Sequence, residues 1–482
     1  PDLMPGTRFI YSSPEKYFKA IASHAKRLPL VTGELQMHAI GCYSVHRPVK
    51  LGVRRAENLL AQARRALEIA SPAERRAAQP ALQQAWEQVC FNHFHDTRGG
   101  SSILTAYRPA EDQLGGAAAA AETVLSETFR RRVHALPPDP RQRFVFANYS
   151  GESFAGWAEH EPWLEWSTWQ PDWCLLDERG RIVPHQLVEA EPLMPDAVRL
   201  LFPLKVAAGE VATLRIARRP RGKVAKLAGA DPAFSVSPRR LQPSAGAALP
   251  LPEFALVEDK SDTWSHNIDR FAGPVVARAA WRAPEQVENG PLRTTWRLSG
   301  TIGESRLCAD WRRYRGSEFW ELRLHVAWHE HHKNLRLSWA PGAEIKARND
   351  GISDGGLARA SDGAERPLRD RSLLLLADGS RAGVVAPEVF SLAADRTAVH
   401  LTLLRSCPLA HHDPKILPPH LPHVNWADQG DHTFVLRFFP AGRVTAAQLD
   451  THALHLQQRP VAADLTRGMP FRPFKDDPDR PL

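Results

Sequence analysis

The chain has 482 residues, a formal charge of +8 from 62 basic and 54 acidic side chains, and 43% hydrophobic residues. The basic residues are scattered rather than gathered on one stripe, which argues against a nucleic-acid binder, and no apolar run approaches the ~20 residues that cross a bilayer. Five cysteines (Cys42, Cys90, Cys174, Cys308, Cys407) are odd in number, far apart and without a CxxC pair, which argues against a disulfide framework or zinc knuckle and favours a reducing, cytoplasmic compartment.

Residues 1–32 read as a short strand, Arg8 to Tyr11, and then a helix from about Glu15 to Arg27. Ser13 and Pro14 supply its cap and first position, and Leu28-Pro29 closes it. One strand and one helix cannot build a core, so this is the end of a larger unit. Residues 33–140 read as a three-helix bundle. Apolar and alanine positions recur at helical spacing from about Val53 to Ala70, and Ser71-Pro72-Ala73-Glu74 signals a second start. That second helix runs to about Phe94, and an alanine-rich third covers about Glu111 to Val133.

From Arg143 the period changes to two, and short strands separated by turn signals predict a small β-sandwich over 141–218. Residues 219–252, rich in Pro, Ala, Gly and Arg, read as a linker. Strand-like segments then recur through 253–482 and predict a large antiparallel β-sandwich, with a strap or disordered tail after Gly468. The fold class is therefore α+β and multidomain.

One stretch carries chemistry: Phe91-Asn92-His93-Phe94-His95-Asp96 followed by Gly99-Gly100-Ser101. A helix ending in imidazole, carboxylate and glycine can hold metal-binding groups at a pocket rim, or be an ordinary surface helix end. His329-Glu330-His331-His332-Lys333 fails the zincin spacing because Lys333 stands where the second histidine is needed, and it reads as a polar turn. Cys407 with His411, His412 and Asp413 offers metal-type donors on a proline-flanked loop. No phosphate-binding glycine loop and no G-x-S-x-G elbow are present.

Several motifs in order give a resemblance. Ser12-Ser13-Pro14-Glu15 with Gly33-Glu34-Leu35, then Tyr43-Ser44, Arg47-Pro48, Lys50 and Arg55-Ala56-Glu57, lead to Trp86 and Phe94-His95-Asp96. Glu258-Asp259, Asp262-Thr263-Trp264-Ser265-His266, Trp328-x-Glu330-x-x-Lys333, Leu403-Leu404-Arg405-Ser406 and Asp428-x-Gly430-x-His432 follow. From about Arg8 to about Gly442 the chain resembles the C-terminal two-thirds of a glycoside hydrolase family 38 α-mannosidase. The resemblance implies the end of a catalytic barrel at 1–32, a helical middle domain, and a galactose-mutarotase-like super-sandwich at the C-terminal side. It also implies zinc as cofactor and a terminal α-mannoside as substrate. His95 is expected to be a zinc ligand and Asp96 to meet the sugar hydroxyls, with Arg405 and Tyr43 as further substrate-binding residues.

In that family the remaining zinc ligands, the aspartate nucleophile and the acid/base carboxylate belong to the barrel, so no catalytic carboxylate is expected among these residues. Retention needs two carboxyl groups about 5–5.5 Å apart, and zinc takes three or four protein ligands. The chain by itself is therefore expected to bind zinc weakly and not to hydrolyse α-mannosides. The alternative is a non-catalytic carbohydrate-binding or scaffold protein that uses the tryptophans between Trp157 and Trp173. No membrane or nucleic-acid partner is expected, and association into a homo-oligomer is compatible with large sandwiches.

Overall fold

The computed structural model describes residues 6–8, 10–32, 34, 39–137, 139, 142–164, 168–190, 197–219, 227–413 and 424–465. They fall into two compact units, Pro1–His38 and Ala39–Leu482. In the first, α1 (Pro14–Ile21) passes into a 3₁₀ turn, Ala22–Arg27, where the sequence predicts one continuous α-helix. The Ser13 hydroxyl accepts from the Lys16 amide, as the cap signal requires. Arg8, Ile10 and Tyr11 are not in a strand, because the described residues of this unit offer none to pair with; Phe9 lies outside them.

In the second unit, the short α2 (Gly41–Ser44) precedes the long α3 (Arg47–Glu68) and α4 (Pro72–Asn92). One turn, α5 (His95–Arg98), then leads into α6 (Leu104–His134). Ser71 and Glu74 form the reciprocal capping box that starts α4. Ala56, Leu60 and Ala63 of α3 share one core with Leu114, Ala117, Ala118 and Ala121 of α6, so small side chains let the axes approach closely. The third long helix starts at Leu104 rather than near Glu111. Tyr107 is buried there, stacked on His46 at 3.6 Å, and that packing carries the helix through Pro109.

The strand Arg143–Ala147 is buried on both faces. Phe144 and Phe146 enter the core between a five-stranded sheet and the three-stranded sheet of Phe154–His160, Arg199–Val206 and Gln186–Val188, whereas Val145 and Ala147 pack on the helices. The outer neighbour of that strand is Val461–Leu465, with Arg143 opposite Leu465. Two boundaries are corrected by this. Residues 253–482 do not form one separate sandwich, since their last described strand completes the small sheet. Residues 219–252 are not a linker throughout, because Phe234–Val236, Arg240–Pro243 and Leu249–Pro250 form a sheet whose Phe234, Leu241 and Leu249 enter the large core. Burial of those three apolar side chains outweighs the loop-like composition around them. The predicted strap after Gly468 lies outside the described residues.

The large core sits between a ten-stranded and a six-stranded sheet, both antiparallel. Trp311, Trp320, Trp328 and Trp339 are buried in it, which accounts for much of the tryptophan excess. Charge joins the small sheet to the large one. Glu159 is ringed by Arg293, Arg199, Arg312 and Arg323; although burial opposes its charge, Arg293 foremost, with Arg323 and Arg312, holds its carboxyl down at about 2. Among the described residues no helix is long and apolar enough to cross a membrane.

Gln186 makes a second joint: its Oε1 accepts from the Leu292 and Arg293 amides, each at 2.8 Å. Its Nε2 donates to the Arg293 carbonyl at 3.1 Å. The variant Gln186→Ala leaves two buried N–H groups unpaired and is expected to lose about 2–4 kcal/mol, read as a lower urea midpoint at unchanged slope.

Candidate functional site

The α4 helix ends at Asn92, and His93 caps it while pairing with Glu57 at 2.9 Å, so His93 holds α4 to α3. The chain then turns, and α5 lifts His95 and Asp96 outward, with side chains 80% and 53% exposed and Nε2 to Oδ1 3.7 Å apart. What fixes that short turn is underneath it. Gly100 has φ +77°, and a Cβ there would lie 2.6 Å from Val45 Cγ1, so both conformation and space demand glycine. Lys50 is buried below, its Nζ donating to the carbonyls of Val45 at 2.6 Å and Arg98 at 2.9 Å. Burial pushes its pKa down to about 8. A helix of one turn cannot hold itself, and these tethers replace the hydrogen bonds it lacks.

Arg405 and Tyr43, expected to touch substrate, are both buried. No part of the Arg405 side chain is exposed. Its Nε donates to Asp259 Oδ2, its Nη1 to the Thr263 carbonyl at 2.8 Å, and its Nη2 to the Asp262 carbonyl and to Ser261 Oγ at 3.0 Å. The guanidinium lies over Phe271, which also packs against Tyr43 and Ile40. Gly41 donates to the Trp264 carbonyl at 2.9 Å, and a Cβ on it would lie 2.7 Å from Ser265 Oγ, so α2 rests directly on the loop that Arg405 holds. Arg405 supports this loop from within the core.

Cys42 lies among these parts. Burial raises its thiol, against the pull of Lys50 and Arg405. Asp262, His266 and His412 also converge, with one ligand atom from each lying within 4.8 Å of the others. The metal-type cluster read from the sequence is therefore redistributed. Cys407 is fully buried with its thiol pushed up to about 11 by burial, while His412 meets Asp262 and His266 from another segment. No local spacing joins positions this far apart in the chain. His329–His332 is a turn in which buried Glu330 pairs with Lys333 at 2.6 Å.

Residues 37–131 match the family described as the Alpha mannosidase middle domain. No curated protein matches the chain. Among solved structures it is similar to an alpha-mannosidase from Enterococcus faecalis V583, with a TM-score of 0.75 at 15% identity over 97% of this chain. It is also similar to a Glycosyl Hydrolase Family 38 protein from Enterococcus faecalis, with a TM-score of 0.70 at 15% identity over 97% of this chain. The chain spans 63% and 64% of those two chains.

The class of protein is thus defined by a helical domain followed by antiparallel β-sheets, a fold that is met along nearly the whole chain. The fold is similar to that of a glycoside hydrolase family 38 α-mannosidase, and residues 37–131 match the family's middle domain. Zinc, which the resemblance implies, would meet the His95 imidazole at α5, with the Asp96 carboxylate beside it. Among the described residues no further His, Cys or carboxylate groups with them. Three or four are needed, so the residues present fit part of a zinc site and not a whole one.

A buried carboxyl lies beside Arg47 at the start of α3. Asp428 accepts from the Arg47 amide at 2.7 Å through Oδ1, while its buried Oδ2 has no hydrogen-bond partner. Burial pushes its carboxyl up from 3.8 to about 6, against the pull of Arg47 and Lys50. A carboxyl raised in the folded state contributes stability that is full below about pH 4 and is lost as pH rises through about 6. Urea unfolding from pH 4 to 7 is therefore expected to show a falling component in the native protein that Asp428→Asn abolishes.

Proposed function

We propose that this chain is part of a zinc-dependent retaining α-mannosidase that hydrolyses terminal α-mannosides, and that it contributes the metal- and sugar-facing wall of the site. The observation that carries the reading is α5: a domain matching the mannosidase middle domain holds up an exposed imidazole and carboxylate on one rigid turn. In this reading α3, α4 and α6 are a three-helix bundle, and the two large sheets are a galactose-mutarotase-like sandwich. Zinc, when bound, orients vicinal sugar hydroxyls and favours ring distortion.

His95 would give that ion one imidazole nitrogen, and Asp96 would accept hydrogen bonds from sugar hydroxyls. Arg405 and Tyr43 act one layer back, keeping the 259–266 loop and α2 in place. The nucleophile and acid/base carboxylates are not assigned to this chain, so no bond-breaking step is derived from it. Cytoplasmic location and homo-oligomer formation belong to the same reading. The alternative, a carbohydrate-binding scaffold, has less surface available than the sequence suggests. Trp157 is stacked on Tyr314 and Trp169 packs on Trp173 and His185, which leaves Trp163 as the exposed tryptophan among the described residues of that stretch.

The dialysed chain, assayed with an aryl α-mannoside with and without added zinc, is expected to show no turnover. Turnover that His95→Ala abolishes would overturn the assignment of the catalytic carboxylates elsewhere. In a protein that joins this chain to a family 38 barrel, His95→Ala is expected to lower kcat/KM roughly 100-fold or more, since even a metal ligand's outer partners are worth 10–100-fold. Unchanged kcat/KM there would remove His95 from the site.

A further inference from the structure

We propose that Asp262, His266 and His412 form a binding site for a transition-metal dication of the zinc class, built entirely from the β-rich part of this chain. Two imidazoles and one carboxylate are a donor set that such ions take, with a remaining position for water or another ligand. Ligand atoms around a tetrahedral zinc stand about 3.3 Å apart when the bonds are about 2.0–2.1 Å long. His266 Nδ1 is already 3.3 Å from Asp262 Oδ2. His412 Nδ1 is 4.0 Å from the same oxygen, and the two imidazole centroids are 4.9 Å apart. The His412 side chain is 57% exposed, so rotation about its own bonds closes the remaining gap without disturbing a core.

The site is held from behind. Asp262 is buried, with Oδ1 accepting from the Ser265 amide at 2.6 Å and Oδ2 from the Asp413 amide at 3.1 Å. Those two N–H groups fix the orientation of the carboxylate toward His266. Ser265 and Asn267 both adopt left-handed backbone, with φ 52° and 59°, a conformation uncommon outside glycine. These two residues flank His266 and turn its ring back onto Asp262, outside any helix. Trp264 lies parallel to the His266 ring at 5.8 Å, and Arg405 clamps the carbonyls of Asp262 and Thr263. His412 Nδ1 contacts the Asp413 carbonyl oxygen. Ligation through Nδ1 requires that nitrogen without its proton, so the rotation that closes the gap to Asp262 also releases this contact.

The same three side chains could form an Asp–His hydrogen bond with a surface histidine beside it and hold no ion. Cobalt(II) separates the two, since its visible absorption reports the ligand field directly. The dialysed chain is expected to bind one equivalent of cobalt(II), displaced by zinc(II), with bands of a nitrogen–oxygen site. His412→Ala and His266→Ala are each expected to weaken binding roughly 100-fold or more while thermal unfolding of the free protein is little changed. His95→Ala is expected to leave binding intact, so failure here is distinguishable from failure of the mannosidase reading. Absence of stoichiometric cobalt(II), binding that His412→Ala leaves unaffected, or binding that His95→Ala removes would each overturn the proposal.

Discussion

A guanidinium with no exposed atom organises the candidate site. Burying Arg405 removes the hydration of a full charge, a penalty of several kcal/mol unless every N–H finds a partner. Asp259 supplies the counter-charge, and Ser261, Asp262 and Thr263 supply the remaining acceptors. The consequence is geometric. Arg405 stands on the strand Val399–Ser406, and its donors fold the 259–263 segment around it, 142 to 146 positions away in the chain. Helix α2 rests on that segment through Gly41, and Lys50 then ties the residues after α2 to the end of α5. His95 and Asp96 are presented at the end of this chain of contacts.

The same arithmetic of buried charge holds the larger parts together. Glu159 of the small sheet faces four arginines, three of them on the large sheet, and Gln186 saturates backbone groups at Leu292 and Arg293. Polar contacts of this kind are directional and demand complete satisfaction, so they define one relative placement of the sheets where apolar packing alone would tolerate several. Apolar burial supplies the bulk of the stabilisation, through the tryptophan-rich core and the alanine-rich helix contacts.

Much of this was legible locally. The capping box at Ser71 and Glu74 and the alternation through Arg143–Ala147 both announce their elements, because each depends on neighbours within four residues or fewer. The alternation did not say that both faces of that strand are covered. Phe144 and Val145 are equally buried, in different cores, and only the layers on either side decide that. Composition misled at 234–250, where three apolar side chains inside a loop-like stretch are enough to bring it into the large core.

By itself the sequence determined the order of helical and strand regions, the likeness to a mannosidase, and the pairing of an imidazole with a carboxylate at residues 95 and 96. Those follow from caps, periods and motif order, which are short-range properties. Tertiary structure alone decided that Val461–Leu465 completes the first sheet and that His93 faces Glu57 while His95 faces outward. It alone buried Arg405 as a clamp on the 259–263 segment, and brought Asp262, His266 and His412 within ligand distance of one another. The reason is the same in each case: burial and long-range pairing depend on what packs against a residue, and no spacing along the chain encodes that.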